Sequence, residues 1–247
     1  MFEPHTRVTT IAYGAVFAAL VAATTTMLTV TIPSTKGYFN LGDMMVYTAA
    51  ILTGPLVGGL AGGVGSALSD AYLGYYTFAP GTLVIKGLEG LIVGYLFTKR
   101  SSPAVTSHWK ALTAGISVVL FVLMAMTGSF YFTGGFDFGG DLVAALSGRG
   151  TSGIALGVWL LGAGAFSALV AYTGLRSGPE VGWTAVSIVV GGSEMVAGYF
   201  VYEVGIGMTV PAALLEVPFN IAQLVFGLVG ALFLTTGVAA VFKRPGG

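Results

Sequence analysis

Apolar residues run along this chain in long blocks, cut by short stretches of Gly, Pro, Ser and charge. The blocks lie at Val8 to Thr31, Asp43 to Gly54, Leu56 to Gly74, Gly81 to Thr98, Ala111 to Thr133, Gly153 to Leu175, Gly182 to Val204 and Ala212 to Phe242. About 20 apolar residues cross the hydrocarbon core of a bilayer, so the longer blocks each predict a transmembrane helix. Asp43 to Gly54 is short, and the reading turns on whether it joins the next block. If Gly54-Pro55 separates the two and the N-terminus is cytoplasmic, Arg7, Lys99, Arg100, Lys110, Arg176, Lys243 and Arg244 fall inside, with Lys36 and Arg149 outside. That distribution obeys the positive-inside rule. Merging the blocks would put Lys99, Arg100 and Lys110 opposite Arg7. The expectation is an all-α polytopic membrane protein: one transmembrane domain, residues 1–247, with about eight helices and both termini cytoplasmic.

Composition agrees. Of 247 residues, 55% are hydrophobic and 8% charged, with a mean hydropathy of +0.89; soluble domains carry about 25% charged residues. The 39 glycines suit helices that pack through small residues, where close backbone approach replaces the missing hydrophobic drive. The opening Met-Phe-Glu-Pro-His-Thr-Arg has no basic n-region or small-residue cleavage site, so the first apolar block is expected to remain as a span. Cysteine is absent, and His5 and His108 lie outside the apolar blocks. A metal cage or a histidine-based catalytic triad in the membrane is therefore not expected. No phosphate-binding loop of the G-x-x-x-x-G-K-[ST] type occurs, so ATP hydrolysis by this chain is not expected. Zero net charge argues against a nucleic-acid partner. No cofactor and no enzymatic activity are predicted.

Against this background the polar residues inside the blocks stand out. Lys86 and Glu89 lie three apart in an otherwise apolar segment, on one helical face, and intramembrane charges mark either a buried pair or a functional site. Glu216, Asn220 and Gln223 follow at i, i+4 and i+7, on one stripe beside Pro218, which removes a helical hydrogen bond; interhelical polar contact is the alternative role. Tyr199 and Glu203 close the preceding block. Tyr38, Asn40 and Asp43 lie in the loop after the first, where Asp43 is either a site residue or a helix N-cap. Tyr72, Tyr75 and Tyr76 are either an interfacial aromatic belt or ligand-stacking rings. Asp70 belongs to the same end, and Glu194 sits mid-span beside Gly191-Gly192 with no assigned place. Under the eight-span topology most of these groups converge on the outer half of the membrane, which describes a pocket open to the outside. The inner halves are mostly Gly, Ala, Val and Leu. In the first block Ala15 and Ala19 give a small-xxx-small face that serves either internal packing or docking on another subunit.

The residues resemble a family, the substrate-binding S components of energy-coupling-factor (ECF) vitamin transporters, in particular the riboflavin type. The resemblance rests on Ile32-Pro-Ser-Thr-Lys-Gly-Tyr-Phe-Asn-Leu-Gly-Asp43, Gly54-Pro55, Ala61-Gly-Gly-Val-Gly-Ser-Ala-Leu-Ser-Asp70, Gly74-Tyr75, Ala79-Pro80, Ile85-Lys-Gly-Leu-Glu-Gly90, Gly198-Tyr-Phe200 with Glu203, and Glu216-Val-Pro-Phe-Asn220 with Gln223. It implies a six-helix core at residues 8–100 and 182–242, with 111–175 as an inserted transmembrane hairpin whose glycine-rich outer loop, 134–153, holds Asp137, Asp141 and Arg149.

The resemblance further implies a non-enzymatic capture subunit in the cytoplasmic membrane of a prokaryote. Such a subunit takes a small heteroaromatic vitamin or precursor (riboflavin, a pyrimidine or a pyridoxine-like compound) from outside. It delivers the ligand with a transmembrane scaffold subunit and two ATP-binding subunits. The expected substrate-binding residues are Tyr38, Asn40, Asp43, Lys86, Glu89, Tyr199, Glu203, Glu216, Asn220 and Gln223, beneath a loop at 33–42. Ala15 and Ala19 are the expected scaffold contact. The rival reading is a stand-alone proton-coupled secondary transporter with Lys86, Glu89, Glu194 and Glu216 as its relay. An intramembrane enzyme lacks a recognisable nucleophile and base.

Overall fold

Gly54 adopts φ 92°, a conformation open to glycine and costly for other residues, and Pro55 begins a new helix. The chain therefore turns back on itself at this point. The structure, a computed structural model, describes residues 6–31, 37–133, 151–177 and 179–242. Among these residues the helices are α1 (Arg7–Met27), α2 (Asp43–Thr53), α3 (Pro55–Leu73), α4 (Ala79–Thr98), α5 (Pro103–Thr133), α6 (Thr151–Ser177), α7 (Pro179–Gly205) and α8 (Val210–Phe242). The outer loop of the proposed hairpin, with Asp137, Asp141 and Arg149, lies outside the described residues, as do Lys36, Lys243 and Arg244.

Six of these helices are long and apolar enough to cross a membrane, and the protein is an all-α multi-pass membrane protein. The exceptions are instructive. Helix α2 has 11 residues, about 16 Å at 1.5 Å per residue, roughly half the ~30 Å hydrocarbon thickness. Helix α3 has 19 residues, of which five are glycine and which include Ser66, Ser69 and Asp70. It packs against α1, α2 and α4, so much of its surface meets protein rather than lipid and need not be strongly apolar.

The first apolar block also ends earlier than its hydropathy predicts. Helix α1 starts in a capping box, with the Thr6 hydroxyl accepting from the Thr9 amide at 3.2 Å, and stops at Met27. Thr29-Val-Thr31 then forms β1, paired antiparallel with β2 (Tyr38–Asn40) in the register Thr29 to Asn40, Val30 to Phe39 and Thr31 to Tyr38. β-branched residues favour a pleated strand over another helical turn. Where the sequence predicts helix and then loop, the chain builds a two-stranded hairpin.

Glycine sets the interhelical distances. A Cβ on Gly58 would lie 2.7 Å from the Ala50 Cα, and one on Gly63 would lie 2.6 Å from the Leu83 carbonyl oxygen. Cβ atoms on Gly62 and Gly90 would strike the Lys86 and Gly58 carbonyl oxygens. The α3–α4 pairs 58 with 90, 62 with 86 and 63 with 83 descend in one helix as they ascend in the other, so the two are antiparallel. Contacts of Gly191 with Glu89 and of Gly198 with Ile85 make α7 antiparallel to α4. Gly227 against Asp43 and Gly230 against Met44 make α8 parallel to α2. The interior between them holds Val46, Tyr47, Val93, Ile188, Met195, Leu224 and Leu228. Large apolar side chains such as Ile11, Leu161 and Phe233 point outward, at 67%, 75% and 78% exposure, as a lipid-facing surface requires. Helix α5 packs on α6 and α7, with a smaller contact to α8.

The bundle has two chemically different ends. The starts of α2 and α8 and the ends of α3 and α7 share one end. Arg7, Lys99, Arg100, Lys110 and Arg176 belong to helix ends at the other, where Lys99, Arg100, Lys110 and Arg176 each lie 4.6 to 5.7 Å from an aromatic ring centroid.

Gly62→Ala is expected to lower unfolding stability by about 1–3 kcal/mol, because overpacking here forces two backbones apart. Gly115→Ala, with open space around its Cβ, is expected to be neutral or slightly stabilising. Thermal unfolding in detergent compares the two, and equal effects would rule out the seam as the cause.

Candidate functional site

At the end of the bundle away from the basic residues, the β1–β2 hairpin is tied down from beneath. The backbone amide and Nδ2 of Asn40 donate to Gln223 Oε1 at 2.9 and 2.7 Å, while Asn40 Oδ1 accepts from the Gly42 amide at 2.8 Å. The Tyr38 hydroxyl donates to Asp70, a carboxylate 2% exposed. Burial first, and the Asp70 charge second, push the Tyr38 phenol well above its ordinary range, so it remains a protonated donor. Phe39 meets Phe226 edge-on at 5.7 Å, and Tyr38 lies against Tyr75 with ring centroids 4.8 Å apart.

Below the hairpin is an open cavity of about 390 Å³, its mouth included, lined by Gly37, Tyr38, Asn40, Tyr75, Phe78, Tyr199, Glu203, Glu216, Asn220 and Gln223. Four aromatic rings and five polar side chains share its lining with Gly37. The stripe Glu216, Asn220, Gln223 turns together into the cavity, because α8 continues through Pro218 without breaking. The Tyr199 hydroxyl is 3.1 Å from Thr82 Oγ1, a bond that orients the ring from α4.

Lys86, Glu89 and Asp43 come together elsewhere. Lys86 Nζ is 2.5 Å from Asp43 Oδ1 and 3.0 Å from Glu89 Oε2, with the three residues 0–2% exposed. The Tyr47 hydroxyl donates to Glu89 Oε1 at 2.6 Å. The group bridges α2 and α4 and does not line the cavity. It touches the site through Tyr199, whose ring centroid lies 5.8 Å from Lys86 Nζ. Asp43 is not the N-cap of α2 either: Gly42 holds that position, and the Asp43 carboxylate is engaged with Lys86 instead.

Seven of the ten predicted site residues therefore line one cavity, and the other three form the buried ion cluster behind it. Residues 33–36 of the predicted covering loop lie outside the described residues. The tyrosine cluster divides: Tyr75 faces the cavity, while Tyr72 and Tyr76 are 82% and 72% exposed, as an interfacial belt requires. Sequence reasoning missed Gly37 and Phe78, which follow no periodic signal, and Tyr47, whose one polar atom hides in an apolar helix. Glu194, left without a place by the sequence, is half-buried on α7. On α1, Gly14, Ala18, Val21 and Thr25 are buried, with Gly14 and Val21 meeting Leu60 and Gly65 of α3, whereas Ala15 and Ala19 are exposed. Among the described residues no group of His, Cys, Asp and Glu is arranged to hold a metal ion.

The fold defines a helical, multi-pass membrane protein with an open cleft at one end. Residues 5–148 match the family described as "ECF-type riboflavin transporter, S component". The match covers more than half of the chain, and the chain belongs to that family: it is a substrate-binding subunit of a membrane transporter. The matched range includes α5. A protein of Pyrococcus woesei named "Uncharacterized protein in gap 3'region" is 45% identical over 131 residues, which cover 52% of this chain and 86% of that protein. No solved structure matches.

Removing the cation from the buried cluster strands two carboxylates, so Lys86→Met is expected to cost about 3–5 kcal/mol of stability. Adding Asp43→Asn and Glu89→Gln to Lys86→Met should recover most of that loss. Unfolding of the single and triple variants in detergent reads the difference, and a triple variant no more stable than the single would contradict the charge-pairing account.

Proposed function

We propose that this subunit captures a small heteroaromatic vitamin or precursor, such as riboflavin, a pyrimidine or a pyridoxine-like compound. It does so from the outer face of a prokaryotic cytoplasmic membrane. A transmembrane scaffold subunit and two ATP-binding subunits complete the importer. The observation that carries this reading is the aromatic-walled cavity under the β1–β2 hairpin, with Tyr38, Asn40, Tyr199, Glu203, Glu216, Asn220 and Gln223 as ligand contacts. Lys86, Glu89 and Asp43 then support the site from behind, through Tyr199 and the start of α2. Both termini are assigned to the cytoplasm, because among the described residues every Lys and Arg except Lys86 lies toward the end opposite the cavity. The engagement of Lys86 and Glu89 with Asp43 and Tyr47, away from the cavity, favours capture over a proton relay through Lys86, Glu89, Glu194 and Glu216. We assign residues 8–100 and 182–242 to the core and 111–175 to an added hairpin, in keeping with the packing of α5 against α6 and α7. Scaffold contact is assigned to Ala15 and Ala19, whose small side chains are left exposed by the α1–α3 packing.

Asn220→Ala is expected to weaken ligand binding by about 1–3 kcal/mol, the cost of a lost buried hydrogen bond. Equilibrium titration of purified protein with riboflavin, pyridoxine and hydroxymethylpyrimidines measures this, and unchanged affinity for a ligand that the wild type binds would remove Asn220 from the site. Uptake into vesicles should require the scaffold and ATPase subunits with ATP; uptake by this chain alone on a proton gradient would overturn the importer reading. Ala15→Trp should leave binding intact and abolish assembly and uptake, whereas loss of binding would return that face of α1 to internal packing.

A further inference from the structure

The cavity wall is lopsided in its hydrogen-bonding chemistry. Glu203 from α7 and Glu216 from α8 bring two carboxylates to it, and among the described residues no Lys, Arg or His lines it. The nearby ammonium, Lys86, is already committed to Asp43 and Glu89. Glu203 is 2% exposed, and its Oε2 has no hydrogen-bond partner among the described residues. Gln223 uses its oxygen on Asn40.

A carboxylate buried without a donor is unfavourable by the desolvation of that group. A ligand that brings Glu203 a hydrogen-bond donor or a positive charge relieves that cost, and a cationic N–H does both. The rings of Tyr38, Tyr75, Phe78 and Tyr199 offer flat surfaces to a planar ligand, and aromatic faces attract cationic rings. A carbonyl or phosphate edge placed here would meet the carboxylate with lone pairs or negative charge.

We infer that Glu203 is the specificity-determining residue of this cavity, and that the ligand offers it an amino or cationic-nitrogen edge: an amino-substituted or cationic heteroaromatic compound. The inference rests on the capture reading above and narrows its substrate class. Riboflavin carries no amino group or positive charge, and its one ring N–H is flanked by two carbonyls whose lone pairs would face the carboxylate, so it falls on the disfavoured side.

Matched probes test it. Purified protein in nanodiscs is titrated with 4-amino-5-hydroxymethyl-2-methylpyrimidine and its 4-oxo counterpart, with pyridoxamine and pyridoxine, and with riboflavin. In at least one pair the amino member should bind wild type about tenfold or more tightly than its partner, as a site with a buried group left unpaired rejects the wrong ligand. Glu203→Gln should shrink that ratio to about threefold or less with thermal unfolding unchanged, and Glu203→Asp should keep the amino preference. Equal binding within both pairs, tighter binding of riboflavin than of every amino probe, or a preference undiminished in Glu203→Gln overturns the inference and leaves the capture reading standing. Failure of every probe, riboflavin included, to bind wild type defeats the capture reading itself.

Discussion

An ammonium group inside a bilayer-spanning bundle is tolerable only when carboxylates surround it, and Lys86 meets that condition by drawing Asp43 from α2 and Glu89 from its own helix. Much of the site's geometry depends on this requirement. Because Asp43 is the first residue of α2, the ion pair pins the start of that helix against α4. The residues just before it, β2 and Asn40, are then presented to Gln223 on α8. Tyr47, one turn further on, saturates the remaining Glu89 oxygen. Low dielectric raises the stakes of such a network: complete, it specifies one arrangement, and missing a member it leaves an uncompensated charge.

Glycine makes that arrangement reachable. Lipid supplies no hydrophobic drive between helices, so α3 and α4 associate by backbone contact, with glycines on both sides of the seam. The same closeness lets α3 sit largely within the protein while carrying Ser66, Ser69 and Asp70. Asp70 then serves the cavity end by accepting from Tyr38. Thus a helix of unremarkable hydropathy becomes the support for one wall of the cavity.

The two ends of the molecule divide the work. Basic side chains stacked on rings mark one end, and the hairpin-covered cavity marks the other. Membership of the ECF riboflavin-type S-component family is in keeping with a helical membrane bundle that has an open cleft at one end. The cavity chemistry, rings facing carboxylates, narrows what that cleft receives.

Helices, their order and the break at Gly54-Pro55 were legible in the sequence, because hydropathy blocks and glycine–proline chemistry act locally. So was the convergence of polar residues on one end, since alternation of helix direction follows from counting spans. The stripe Glu216, Asn220, Gln223 could be read from helical periodicity, and all three reach the cavity. What the sequence left undecided was which side chains face the ligand space and which face one another. Lys86 and Glu89 read more readily as a binding pair than as a structural one, and only the approach of Asp43 across α2 and α4 separated them from the cavity. Tyr75 and Tyr76 are neighbours in sequence, yet one lines the site and the other meets the surroundings. The β1–β2 hairpin was hidden for a similar reason: a three-residue strand is too short to show a period, and it exists because Asn40 and Tyr38 find partners on α8 and α3. Local chemistry determined the elements; contacts between residues distant in the chain decided the site.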